Sequence, residues 1–415
     1  MLRLISTHLD TMVLSGKKLA EVKTWHKLNM EVLQRTANRG SISTDTGYDI
    51  DNSLKFESDN AEQMYATPWS SAGTRTKHTW SIWVKRTELG TRQMLFEGGT
   101  DTAVTTQLSL SFQTTDALEV RAGERINSVA GTVYRLTNRL FRDTAAWYHI
   151  VAAFDTTQGT ANDRIKIWVN GVEETSFATT ANPSQNSDLG LFAANAQVSV
   201  GVSANNGFYY NGYITHAALV YNTQLNADSF GEFDEDSGIW KPKEYTGSHG
   251  TKGFYFKFDD ASNLGKDSAT SGIGDFSENN ISASDQATDT PTNNFCTWNP
   301  LWEYLYQPIF KEGATVAAYD NSTDENAKAT IGLTKGKWYW EAKPSGTIGS
   351  QFIGIQTANT AYTIGSQGLT QNYTMVIEPQ GRYYSYSGSL SESSAGQFTA
   401  LTTSDTLGIA LDMDS

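Results

Sequence analysis

Residues 146–173 read AWYHIVAAFDTTQGTANDRIKIWVNGVE. In the first half Tyr148, Ile150, Ala152 and Phe154 fall on alternate positions, the period of a strand with one face against a core. Ile165, Ile167 and Val169 repeat that period in the second half, which ends at Asn170-Gly171. Asn-Gly supplies the two left-handed residues of a tight hairpin turn, so the stretch predicts antiparallel pairing.

The same period extends to both sides. In TWSIWVK, Trp80, Ile82 and Val84 point one way and Ser81, Trp83 and Lys85 the other. Leu54 and Phe56 alternate with polar neighbours, QLSLSFQ sets Leu108, Leu110 and Phe112 against serines, and VSVGVS and YITHAALVYN add further strands. So many short alternating strands, separated by Gly, Asn and Thr, predict an antiparallel sandwich over 48–245 rather than strand–helix–strand units. Leu225 to Phe230, with Asn226 as cap, reads as one turn of helix. Residues 246–312 read as an Asn/Asp-rich connector with one strand, GFYFKFDD, and an aromatic run in which Cys296 is expected to be buried. From 313 to 415 strand patterns return in KGKWYWEAK, QFIGIQT, YTMVIEP, RYYSYSG and DTLGIALDMD.

Residues 1–47 stand apart. No Gly or Pro occurs from Lys17 to Arg35, and Val22, Trp25, Leu28 and Val32 share one face, which predicts a short amphipathic helix. A lone helix of this length is marginal in water, so it is expected to fold back on the next domain or to dock on a partner. The fold class is therefore mainly β: an N-terminal helix followed by two antiparallel β-sandwich domains of jelly-roll type.

The 415 residues are 38% hydrophobic and 12% aromatic against 18% charged, enough for extensive cores and too apolar for a disordered chain. The net charge of −14 divides into +3 over residues 1–47 and −17 over the rest, which argues against nucleic acid held through its phosphates. One cysteine leaves no disulfide framework and no Cys-based zinc site, and suits folding in a reducing compartment. MLRLISTHLDTMVL is broken by His8 and Asp10 and reads as no signal peptide. Nor does any run of about 18 apolar residues mark a membrane span, so synthesis in a cytoplasm without membrane insertion is expected.

As a set, AWYHIVAAFDTTQGTANDRIKIWVNGVE and the closing FYYNGYITHAALVYNTQLNADSF resemble the laminin G-like, concanavalin A-like jelly rolls over roughly residues 53–245. Three spaced signatures, Gly336-Lys337-Trp338-Tyr339-Trp340-Glu341, Phe352-Ile353-Gly354-Ile355 and Asp405-Thr406-Leu407-Gly408-Ile409-Ala410-Leu411-Asp412, resemble SPRY domains. That family continues with a further hairpin beyond the position of Ser415, so the domain is expected to be truncated or to be completed by another chain, because an open apolar edge invites aggregation. The order of jelly roll, connector with DTPTNNFCTWNPL and SPRY-like region resembles virion structural and tail-fibre proteins of tailed bacteriophages, especially marine ones.

No catalytic constellation is read. Glu232-Phe233-Asp234-Glu235-Asp236 is acidic enough for the paired carboxylates of laminarinase-type hydrolases, but it follows the closing helical turn, where a solvated loop is expected. His8, His26, His78, His149, His216 and His249 contain no i,i+4 pair and no neighbouring nucleophile. His149 and His216 read as half-buried packing residues. No metal site is assigned, and no cofactor is expected apart from Ca²⁺, which laminin G-like domains often bind near one rim. Its oxygens would come from Asp155, Asp163 and Asp188, or from Asp259, Asp260 and Asp267.

The ligand-binding candidates are aromatics beside amides: Phe208, Tyr209, Tyr210 and Asn211 in one run, Tyr383, Tyr384 and Tyr386 in another. Aromatic faces stack on sugar rings, although alternate residues of either run could equally be core. The resemblance implies a non-enzymatic tail fibre or virion appendage, anchored to other virion proteins through the N-terminal arm. It would assemble as a homo-oligomer, a trimer being common for such fibres, and present its sandwiches to a host cell-surface glycan or receptor. A glycan depolymerase on the same fold and a purely structural connector or decoration protein are the alternatives.

Overall fold

The computed structural model describes residues 13–14, 17–18, 47–99, 107–122, 132–203, 207–301, 308–318, 327–345, 353–355, 374–378, 381–386, 390–394 and 396–414. A two-strand ladder pairs β1 (Val13–Leu14) with β2 (Lys17–Lys18). The helix expected from Lys17 is thus replaced by strand at its first two residues, where a short ladder competes with a costly helix nucleus. Val22, Trp25, Leu28 and Val32 lie outside the described residues.

From there the chain runs through β3 (Ser53–Phe56), β4 (Gln63–Ala66), β5 (Lys77–Arg86), β6 (Gln93–Gly99), β7 (Gln107–Phe112), β8 (Ala117–Ala122) and β9 (Thr132–Leu140). Next come β10 (Tyr148–Asp155), β11 (Ile165–Val169), β12 (Val172–Glu173), β13 (Phe177–Thr180), β14 (Gln197–Val200) and β15 (Gly212–Tyr221). β16 (Gly231–Phe233), β17 (Trp240–Pro242), β18 (Phe254–Phe256), β19 (Ser277–Asn279) and β20 (Gln286–Ala287) complete this part.

One antiparallel sheet has the order β12-β11-β10-β5-β15-β3-β20, with β18 on β15 as well; the second has the order β13-β9-β8-β7-β6-β14-β4-β19. Their facing sides bury the alternating residues that the sequence predicts. Trp80, Ile82, Val84, Ile150, Ala152 and Phe154 come from the first sheet, and Phe96, Leu108, Leu110, Phe112, Leu118 and Val120 from the second. The Asn-Gly hairpin also forms. Val169 pairs with Val172, and Asn170 and Gly171 take φ of 48° and 78°, the two left-handed positions of a type I′ turn. The helical turn appears as a short 3₁₀ segment, Ala227–Ser229, without a capping bond from the Asn226 side chain.

The first sheet is buried on its other face too. Trp83, Val151, Tyr213 and Val220 point away from the main core and pack beneath Ile50, Trp147, Phe230 and Trp240. Part of this cover is the segment read as a connector, and the boundary at 245 is corrected accordingly. β18 pairs with β15, β20 with β3, and β19 with β4 at the edge of the second sheet. An ion pair holds the strap down. The fully buried Lys85 donates from Nζ to Asp289 Oδ2 at 2.7 Å, Asn294 Oδ1 at 2.8 Å and the Phe295 carbonyl at 2.6 Å. Trp147 Nε1 donates to the other Asp289 oxygen at 2.9 Å, and Thr292 bonds both backbone groups of Ile50. An ammonium at this depth requires such partners, and they come from polar residues whose composition resembles a linker. Cys296, expected to be buried, is exposed.

β21 (Ile309–Lys311) pairs with β22 (Val316–Ala318) beside the sandwich. Lys55 binds Glu312 and Asp285 there, and Tyr213 donates to the Gly313 carbonyl at 3.0 Å. Farther on lie β23 (Lys337–Ala342), β24 (Ile353–Ile355), β25 (Thr374–Glu378), β26 (Arg382–Tyr386), β27 (Leu390–Glu392) and β28 (Leu407–Asp412). β23 and β28 pair antiparallel, with Trp338 opposite Leu411 and Trp340 opposite Ile409. The other four form a sheet of order β24-β25-β26-β27.

Candidate functional site

The two predicted aromatic runs are placed differently. Tyr210 is fully buried and donates to the Lys85 carbonyl at 2.9 Å, so it is a core residue rather than a contact for sugar. Asn211 is committed as well: its oxygen accepts from Thr87 at 3.2 Å, and its amide donates to Ser58 and Glu88 at 3.2 and 3.1 Å. Phe208 and Tyr209 are half-buried. Tyr383 is half-buried on β26, while Tyr384 and Tyr386 pair in backbone register with Val376 and Thr374.

Phe208 leads to a larger site. Its ring lies 4.6 Å from the Arg92 guanidinium, a cation–π contact. Arg92 Nη2 in turn reaches Glu119 Oε1 at 3.6 Å. Glu119 is gripped by Arg121 at 2.8 and 2.9 Å and accepts from Gln113 at 2.9 Å. These groups stand on the second sheet, on the side away from the core. Residues opposite each other in an antiparallel pair share a face. The pairings Tyr65–Ser199, Ser199–Glu97, Glu97–Ser109 and Ser109–Arg121 therefore align one polar row across five strands. Ser111 faces Glu119 in a parallel row. Ser199, Glu97, Ser109, Ser111 and Glu119 are themselves buried, so the groups of this face that can bond sugar hydroxyls or stack a sugar ring are the half-buried Tyr65, Arg92, Gln113, Arg121 and Phe208. The signal was present in LEVRA, where Glu119 and Arg121 alternate with Leu118 and Val120.

Glu97 and Glu119 share this face, and paired carboxylates are what glycosidases use. Both Glu119 oxygens are occupied by its neighbours, so its evident work is to orient the guanidinium groups. The acidic run resolves into a hairpin turn: Asp234 accepts from Ser237 N and Oγ, and Lys241 pairs with Glu232 and Asp234, both at 3.5 Å.

A Ser–His contact also occurs, on the outer side of the first sheet. Ser81 Oγ lies 2.9 Å from His149 Nε2, and Trp240 Nε1 lies 3.0 Å from His149 Nδ1. An indole only donates, so Nδ1 accepts and the imidazole proton sits on Nε2, pointing at the serine. Wired this way the histidine cannot take a proton from Ser81. Burial drives its pKa down to about 3, which keeps it neutral.

Among the described residues no three His, Cys, Asp or Glu side chains converge as a metal site. Of the carboxylates considered for calcium, Asp155 pairs with Lys77, Asp163 with Lys166, Asp188 with Arg75 and Asp260 with Lys266. Asp267 is occupied by the amides of Tyr255, Ala269 and Gly274.

No curated protein matches the chain in sequence. Among solved structures it is similar to a native heptameric SAP-like pentraxin from Limulus polyphemus, with 13% identity, TM-score 0.30, and coverage of 43% of this chain and 80% of that one. It is similar to the Ruminococcus gnavus IT-sialidase CBM40 bound to α2,3 sialyllactose, with 13% identity, TM-score 0.28 and coverage of 42% and 92%. A third is mouse laminin α1 domains LG4-5, with 11% identity, TM-score 0.29 and coverage of 52% and 49%. Residues 49–229 match the family model of the Concanavalin A-like lectin/glucanases superfamily, and the two-sheet sandwich has the laminin G-like, concanavalin A-like lectin fold.

Proposed function

We propose that this chain is a glycan-binding attachment protein that holds carbohydrate on the outer face of its second sheet without hydrolysing it. The observation that carries this reading is the half-buried Phe208 stacked on Arg92, which together with Arg121 and Gln113 converges on the buried Glu119. Charge-assisted donors in fixed geometry beside an aromatic face suit hydroxyl-rich ligands. The sequence resemblances extend the proposal to context: a tail fibre or appendage of a tailed phage with a SPRY-like C-terminal region. Residues 1–47 would join it to other virion proteins in a trimer, where many weak sites gain avidity.

A glycan array probed with the full chain tests the binding. Arg92→Ala combined with Phe208→Ala should weaken the captured glycan by about tenfold or more; unchanged capture would refute the site. The shared face of Glu97 and Glu119 favours a depolymerase as second reading. New reducing ends from the bound polysaccharide, absent with Glu97→Gln, would establish that activity in place of simple binding.

A further inference from the structure

Lys85 points from β5 to the outer side of the first sheet and is fully buried beneath the strap. Its three ammonium protons meet three acceptors: Asp289 Oδ2 at 2.7 Å, Asn294 Oδ1 at 2.8 Å and the Phe295 carbonyl at 2.6 Å. Nζ also lies over the Tyr213 ring, 5.9 Å from its centre. One carboxylate already balances the charge, so neutralising the lysine does not call for Asn294. What that side chain adds is an acyl carbon, one bond beyond Oδ1, next to a primary amine.

The three side chains are fixed relative to one another. Asp289 Oδ1 accepts from Trp147 Nε1 at 2.9 Å and from the Phe295 amide at 3.3 Å, while Oδ2 faces Nζ. Ser53 Oγ donates to the Asp289 carbonyl at 2.6 Å. Asn294 Nδ2 donates to the Ala145 carbonyl at 2.7 Å, which sets the plane of the amide and holds its nitrogen on the far side from the lysine. Aligned groups held in contact react as parts of one molecule, with effective concentrations of about 10⁵ M or more. Away from water, an ion pair also loses much of the solvation that favours it over the neutral amine and acid.

We infer that Lys85 and Asn294 join in an intramolecular isopeptide bond, made by the folded chain itself with Asp289 as proton carrier. Nζ passes a proton to Asp289 Oδ2, and the freed amine attacks Cγ of Asn294. The Nζ–Cγ bond forms, and the Cγ–Nδ2 bond breaks as the tetrahedral carbon collapses. Nζ gives up two protons in all. Asp289 relays both to the departing nitrogen, which leaves as ammonium, and the carboxylate is restored. Asn294 is half-buried, which opens a route for the ammonium to solvent. The product ties a central strand of the first sheet to the strap across 209 residues of sequence. A cross-link that closes so long a loop restricts the unfolded chain. The inference does not depend on the glycan-binding reading.

The test is the mass of the full chain, purified and denatured. The wild type should be lighter than its sequence by one ammonia. Its tryptic digest should contain a branched peptide that joins residues 78–86, uncleaved at Lys85, to the peptide carrying Asn294. Asn294→Ala should keep its full sequence mass and be cleaved at Lys85. Asp289→Ala should slow bond formation about a hundredfold or more, read as accumulation of unbranched chain; undiminished branching there would overturn the role given to the carboxylate. The inference as a whole is overturned by a wild type of full sequence mass, or by a branch at Asp289 with loss of water. Loss of ammonia without the branched peptide, as cyclisation at an Asn-Gly pair gives, overturns it too. The wild-type result decides even if neither variant folds.

Discussion

His78 offers a direct measurement of what the core tolerates. It lies between the two sheets, fully buried, with neither ring nitrogen partnered. Its ring stacks on Phe154 at 4.4 Å and meets Trp80 and Phe192 edge-on. Burial lowers its pKa from 6.5 to about 3. His78→Phe keeps the stacked ring and removes both unpartnered nitrogens. At about pH 7.5 the imidazole is neutral in both states, so the variant should gain about 1–3 kcal/mol from the relieved desolvation, less about 1 kcal/mol for its larger ring. In acid the sign is fixed by linkage. Between about pH 6.5 and 3 the unfolded chain binds a proton that the native state refuses, so the wild type loses about 1.4 kcal/mol per pH unit. At about pH 5 that adds about 2 kcal/mol to the advantage of the variant. Urea unfolding of both proteins across this range, with m-values compared, measures the gap. The difference is the informative quantity, because Glu62, raised to about 7 by burial, titrates with the opposite sign in both proteins. A gap that stays constant with pH would show that native His78 takes up a proton, and the reasoning would fail.

Three further outcomes are expected. Lys85→Met strands the buried Asp289 carboxylate and should cost about 3–5 kcal/mol, with faster hydrogen exchange concentrated in residues 289–295. Gly171→Ala should destabilise by more than about 1 kcal/mol, since the turn holds φ at 78° and a β-carbon would overlap the Trp240 ring; near-ultraviolet circular dichroism should change with it. Glu62→Gln should stabilise the chain by about 1–3 kcal/mol at about pH 8, where the native carboxyl has been forced to ionise against its burial. That benefit should fade below about pH 5, as thermal melts at the two pH values will show.

Much of the sandwich was legible because its strands obey a period of two and one of its turns is Asn-Gly. Ile150, Ala152 and Phe154 announce a buried face whatever lies opposite, and Asn170-Gly171 fixes the register of the pair that follows. The strap from 246 to 294 was not legible as part of the fold. Its strands are two or three residues long, too short to show a period, and Asp289 and Asn294 meet Lys85, Trp147 and Ala145, which lie 142 to 209 residues away in sequence. Polar composition is read as solvated by default, and here it is the complement of a buried cation. The run from Phe208 to Asn211 fails for a related reason: adjacent residues of an irregular segment have no period that tells a core tyrosine from an exposed one, so Tyr210 and Phe208 look alike until they are placed.

The polar half of the alternation carries more about function than the apolar half. In the first sheet the residues opposite the core include Trp83, Val151 and Tyr213, and the chain spends its hairpin and strap on covering them. In the second sheet the corresponding positions are Ser199, Glu97, Ser109, Ser111, Glu119 and Arg121, and all but Arg121 are buried. Buried polar groups need partners, and Glu119 finds three neighbouring donors that contribute nothing to the main core. That network meets the surface at the half-buried Arg92, Gln113, Arg121 and Phe208, which is where a polar ligand can reach it. For that reason Arg92 and Phe208, where the polar row meets an aromatic ring, are where substitution should separate binding from folding.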